Sequence, residues 1–189
     1  RRGKPEDGGL LTLDPPETAF TFRTEKQAYA AKANRIAIRH LLGQTLAIIE
    51  IVSPGNKDAK SALNEFVKKV VDFLQAGVHV LIVDLFPPTS RDPDGIHQRI
   101  WDEIGEDGFT FPLGKDRTLV SYEAGSEKVA HVQPVAVGDS LSDMPLFLWD
   151  GMHVKVPLER SYEDAWDECP DVLRLAVESG SLPGSDAAE

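Results

Sequence analysis

A single cysteine, Cys169, stands in a chain of 189 residues. That excludes an internal disulfide and any metal cluster made from several thiolates of one chain. No histidine lies near Cys169 in sequence to activate it, so the thiol reads as a small hydrophobe. Its isolation fits a reducing compartment, and a cytoplasmic location is expected. No apolar run reaches the roughly 18 residues that a membrane helix needs. The richest stretch, Leu74 to Phe86, is broken by Gly77, His79 and Asp84, so no membrane partner is expected. The chain lacks a nucleophile elbow, a phosphate-cradling loop and a dinucleotide fingerprint. Gly55-Asn56-Lys57 comes nearest to a phosphate loop, without the earlier Gly or the following Ser/Thr. The five histidines (His40, His79, His97, His131 and His153) show no ligand spacing. Aromatic residues make up only 7%, and Trp101, Trp149 and Trp166 read as helix anchors rather than base-stacking platforms. No signal-peptide pattern is visible in the sequence given. The first residue is Arg1 rather than Met, as expected for a trimmed piece of a longer chain.

What remains is an ordinary globular composition, 41% hydrophobic and 27% charged, in a length that suits one domain with a sizeable core. The formal net charge of −11 opposes indiscriminate nucleic-acid binding, which rests on neutralising phosphates. The charge is uneven. Arg23 to Lys69 carries nine Lys/Arg against four Asp/Glu, and Asp150 to Glu189 carries three against ten. A basic patch on an acidic molecule is one reading of this; an unevenly charged solvated surface is the plainer one.

Residues 1–17 are rich in Gly, Pro and charge and read as a flexible segment. A short strand at Ala19–Phe22 and a short helix at Gln27–Ala33 are expected. Arg35–Arg39 alternates and Thr45–Val52 is nearly all apolar, with Leu42-Gly43-Gln44 as a turn, so the pair reads as a hairpin. Ser53-Pro54-Gly55-Asn56 stops the second strand. A helix is predicted from about Asp58 to Ala76, with Leu63, Phe66, Val67, Val70 and Leu74 on one stripe, and Gly77 ends it. Val78 to Phe86 follows as a buried strand, completing a βαβ unit with parallel strands. Ile96–Ile104 is predicted helical, and Thr118–Glu123 and Lys128–Val137 form a second hairpin. A segment punctuated by Pro134, Pro145 and Pro157 leads to a helical region, Glu159–Ser179. Residues 18–179 form one α/β domain in this reading, and 180–189 form a disordered tail.

The chemistry-bearing stretch is Ile48-Ile49-Glu50-Ile51-Val52-Ser53-Pro54. Glu50 is a carboxylate in an apolar strand, and ionised alone there it would cost several kcal/mol. It must therefore meet a cation, a metal or the sheet edge. Lys69 lies at the border of the helix's apolar stripe beside Phe73, so its ammonium can reach past the core edge. Lys57, in the loop after the strand, is a second cation that could reach the same carboxylate.

Glu50–Asn56, then Lys69-x3-Phe73-x3-Gly77-Val78, then the strand ending at Asp84-Leu85 resemble a bacterial family catalogued only as a domain of unknown function. They are more distantly similar to Uma-type endonucleases of the PD-(D/E)XK superfamily, which show Glu-Val-x-Ser-Pro followed by Lys-x3-Tyr-x3-Gly-Val. Val137-Gly138-Asp139-Ser140-Leu141, Met144-Pro145-Leu146, Val156-Pro157-Leu158 and Tyr162 extend the first resemblance, which spans roughly residues 35 to 166. It implies a restriction-endonuclease-like mixed sheet flanked by helices, with an added hairpin and a carboxy-terminal helical region. In active members of such a fold two carboxylates hold Mg²⁺ and a lysine positions the attacking water. Carried over, that makes Glu50 and Asp84 metal ligands, and Glu50 and Lys69 the catalytic pair. Asp58 is a further loop candidate. The chain departs from the pattern: no lysine follows Glu50 in Glu50-Ile51-Val52, and Leu46 stands where the Uma-type pattern has Asp. The resemblance also implies an amino-terminal helix, with a further acid, outside this chain. With the acid count short, the expectation is a degenerate or non-catalytic binding module. The alternative is a Mg-dependent nuclease or phosphodiesterase using Glu50, Asp84 and Lys69. A nucleic-acid partner is conceivable through Arg23–Lys69 but is not supported by the net charge.

Overall fold

The computed structural model describes residues 35–180. The segment expected over 1–17, the strand Ala19–Phe22, the helix Gln27–Ala33 and the tail beyond Gly180 lie outside the described residues. Those described form a mixed α/β structure: a five-stranded mixed sheet, a two-stranded sheet and four helices.

The large sheet runs in chain order. Strands β1 (Arg35–Arg39) and β2 (Thr45–Ile51) pair antiparallel. Helix α1 (Lys60–Gln75) then crosses to β3 (His79–Asp84), which lies parallel to β2 with Glu50 opposite Ile82. Strands β4 (Arg117–Ala124) and β5 (Lys128–Val135) follow antiparallel. Every residue of β3 is buried, as a near-continuous apolar run in a central strand requires. β1 is an edge strand and mostly exposed, which its two terminal arginines make tolerable.

α1 forms because its apolar residues recur at helical spacing. Leu63, Phe66, Val67, Val70 and Leu74, with Val71, are all buried. They pack on Val80, Ile82, Val120 and Tyr122 of one sheet face; each such side chain contributes about 1.5–3 kcal/mol by leaving water. The helix ends by paired reverse hydrogen bonds. Gly77 N–H donates to Leu74 C=O and Val78 N–H to Phe73 C=O, with Gly77 at φ +74, a conformation that a Cβ would strain.

The opposite face of the sheet carries Ala47, Leu81, Val83 and Leu119, covered by Met144 and Leu146. Those last two belong to β6 (Met144–Trp149), which pairs antiparallel with β7 (Met152–Val156) as a separate hairpin. The sequence reading has no strands here, only a segment punctuated by prolines. In a two-stranded sheet a proline is tolerated on the side without a ladder partner, and Pro145 C=O accepts the Ser121 hydroxyl. Helix α2 (Gly95–Trp101) is shorter than the predicted Ile96–Ile104. The terminal helical region is two helices, α3 (Leu158–Asp167) and α4 (Asp171–Ser179), because Pro170 between them has no N–H to continue the ladder. Neither buries a residue. No helix among the described residues is long and apolar enough to cross a membrane.

Candidate functional site

Side chains alternate across a strand, so Glu50 of β2 and Asp84 of β3 both face α1. Each acid meets its own lysine there. Glu50 is only 3% exposed, and its Oε2 accepts a hydrogen bond from Lys69 Nζ at 2.9 Å. Lys69 reaches it from the helix border, its ammonium 4.8 Å from the Phe66 ring centroid, where the ring face adds attraction for a cation. From the edge strand, Arg35 Nε lies 3.9 Å from Glu50 Oε1, and its guanidinium stands over Phe73. That contact is a charge pair at its outer limit. Oε1 itself has no hydrogen-bond partner.

The second cluster arises from the turn after β2. Pro54–Asn56 forms one 3₁₀ turn, closed by Ser53 N–H donating to Asn56 Oδ1 at 2.8 Å. The turn sends Lys57 back to the end of β3, where it is 3% exposed. Its ammonium lies 2.7 Å from Asp84 Oδ2 and 3.1 Å from Asp92 Oδ2. It also donates to Phe86 C=O at 3.2 Å and Pro87 C=O at 3.4 Å. Asp84 Oδ1 accepts the Phe86 N–H at 3.2 Å, holding the start of the Pro87-Pro88 segment. Burial raises the Asp84 carboxyl above the usual carboxylate range, and the Lys57 charge and hydrogen bond oppose that rise.

The structure therefore brings Glu50 and Lys69 into direct contact, and it places Asp84 elsewhere on the same face with a different lysine. The expectation that Lys57 could reach Glu50 is corrected: the 3₁₀ turn directs it to Asp84 and Asp92. Asp58 is exposed and joins neither cluster. Arg35 and Asp92 were not foreseen. Arg35 is a terminal residue of an alternating strand, and only the β1–β2 register, with Arg35 opposite Glu50, picks it out. Asp92 lies in a turn-rich run with no periodicity, and its signal is the Thr89-x-x-Asp92 spacing of a side-chain-closed turn. There Thr89 N–H donates to Asp92 Oδ1 at 2.8 Å.

A magnesium ion held by Glu50 and Asp84 fits poorly with this arrangement. Mg²⁺ asks for near-octahedral oxygen ligands. Here an ammonium already occupies the cation position beside one oxygen of each acid, and Asp84's other oxygen is held by a backbone N–H. Among the described residues, no three His, Cys, Asp or Glu side chains converge as metal ligands.

Two histidines, His79 and His97, are buried with hydrogen-bond partners. His97 Nδ1 lies 2.7 Å from the Tyr122 hydroxyl, and burial lowers its pKa to about 4. His79 Nδ1 accepts the Ala124 N–H at 3.0 Å.

Comparison of the chain with protein-family models, with curated proteins and with solved structures returned no match.

Proposed function

We propose that this chain is a non-catalytic binding module on a restriction-endonuclease-like sheet, in which lysines stand where a cleaving relative would need metal. The observation that carries the reading is the 2.9 Å contact between Lys69 Nζ and Glu50 Oε2. A lysine spent on neutralising the acid is not free to steady an attacking water, and an acid so neutralised is a weak magnesium ligand. The parallel β2–α1–β3 unit, with acids near the ends of both strands, supports the nuclease-like lineage. The domain limits, 18–179, belong to the same reading.

The alternative, a Mg-dependent nuclease or phosphodiesterase using Glu50, Asp84 and Lys69, draws support from one atom: buried Glu50 Oε1, which lacks a hydrogen-bond partner and so keeps a lone pair for a cation. A nucleic-acid surface over Arg23–Lys69 draws less. Arg35 and Lys69 face Glu50, Lys57 is buried, and Lys68 pairs with Asp72 at 2.6 Å.

The test is hydrolysis of bis(p-nitrophenyl) phosphate and of supercoiled plasmid in millimolar Mg²⁺ or Mn²⁺. The module reading expects wild type and Glu50→Ala to match the protein-free blank. Turnover in wild type that disappears in Glu50→Ala and in Lys69→Met refutes it in favour of the nuclease.

A further inference from the structure

Outside these two sites, three cationic side chains line a cavity of about 510 Å³ between α1 and α2. Lys60, Arg91 and Arg99 look onto it, with the amide of Asn64 and the carboxylates of Asp94 and Asp102. No aromatic side chain contributes to its wall. The ion pairs of the described residues leave both Lys60 and Arg91 unmatched, and Arg99 has only a 3.5 Å contact with Asp102. On a chain with net charge −11, a concave site with three cations against two acids runs counter to the overall field. One wall is the first turn of a 16-residue helix whose cap, Ala59, gives no side-chain bond, and such an end adds a partial positive charge.

The loop that carries Arg91 is held from beneath. Asp92, fully buried, takes the Lys57 ammonium and the Thr89 N–H, and its own carbonyl accepts the Gly95 N–H at 2.8 Å. With Asp92 pinned inward, its neighbours Arg91 and Pro93 are presented to the cavity. Such a fixed presentation lowers the ordering cost of binding.

We propose that this cavity binds a small non-aromatic phosphate: inorganic phosphate or the phosphate of a short aliphatic ester. Lys60 and Arg91 contact the anion, Arg99 turns from Asp102 to join them, and Asn64 donates a neutral hydrogen bond. The volume leaves room for a phosphate with its hydration and a short aliphatic tail, and the lack of an aromatic face disfavours a nucleobase. The cavity is separate from Glu50 and Lys69, so this proposal stands independently of the reading above.

The experiment titrates inorganic phosphate and, separately, glycerol 3-phosphate, following thermal unfolding and ³¹P line width, with sodium chloride at matched ionic strength as control. The proteins are wild type, Lys60→Ala/Arg91→Ala and Asp94→Asn. All three positions are exposed, so the variants should fold. Saturable stabilisation of wild type is expected, weakened at least about tenfold in the double variant and tightened about threefold in Asp94→Asn. Response to both probes supports recognition of the phosphate group alone, and a preference for glycerol 3-phosphate supports an ester as the natural ligand. No saturable response to either probe overturns the proposal. So does a response equalled by chloride, or one unchanged in the double variant.

Discussion

Replacing Lys57 by Met removes the cation that, among the described residues, pairs with two buried carboxylates, and the structure sets the size of the effect. Lys57 is 3% exposed, Asp84 2% and Asp92 0%, so water cannot take over the ammonium's role without opening the loop. Breaking a buried pair in this way costs about 3–5 kcal/mol. That is a large share of the stability of a domain this size. In urea it corresponds to a midpoint lowered by about 2 M. The deficit should depend on pH with a definite sign. Without Lys57 the carboxyl of Asp84, already raised by burial, rises further, so the folded variant holds more protons than its unfolded chain. Its stability then falls as pH rises through the folded pKa, and the gap to wild type narrows on acidification from pH 7 toward pH 5. Urea denaturation of both proteins across that range, followed by circular dichroism, measures it. A gap below about 1 kcal/mol at pH 7, or one that does not narrow with acid, would refute the buried-triad account.

Two further outcomes follow from the same packing. His97, whose folded pKa is about 4, must gain a proton on unfolding below its ordinary value. The contribution of His97 to stability is therefore kept above pH 6.5 and falls by about 3 kcal/mol as pH drops to 4; His97→Phe should make the acid slope shallower in urea melts, and an unchanged slope would point to other groups. For the Glu50–Lys69 contact, Lys69→Met should destabilise by about 2 kcal/mol by leaving Glu50 to Arg35 alone, less than for a fully buried pair because Lys69 is partly exposed. Adding Glu50→Gln should recover about half of that loss in a double-mutant cycle, and strict additivity would mean that the contact is not populated in solution.

The β2–α1–β3 unit was legible because two periods coincide with two burials. The apolar run of β2 and the 100° stripe of α1 leave one arrangement that hides both, and Gly77 marks the turn between α1 and β3. Helix phase put Lys69 at the border facing the strand, but it could not choose between Lys69 and Lys57 as the partner of Glu50; the contact with Lys69 is what the structure adds. Lys57, Asp84 and Asp92 were not resolvable as a triad. Lys57's direction depends on a single 3₁₀ turn and Asp92's on a side-chain-closed loop, neither of which has a period. The β6–β7 hairpin was not read from a segment punctuated by prolines, and Pro145 is tolerated there because its strand pairs on one side only. Asp84 shows what strand position alone leaves open. It stands at the end of β3, where the sequence reading expected a metal ligand, but its partner is Lys57, sent there by the 3₁₀ turn.

The account's central claim is that Glu50 is neutralised by Lys69 rather than by a divalent metal. Calorimetric titration of Mn²⁺ into wild type and Glu50→Ala tests it most directly. The account predicts heats of dilution only, the same in both proteins. Saturable binding in wild type that vanishes in Glu50→Ala would contradict it.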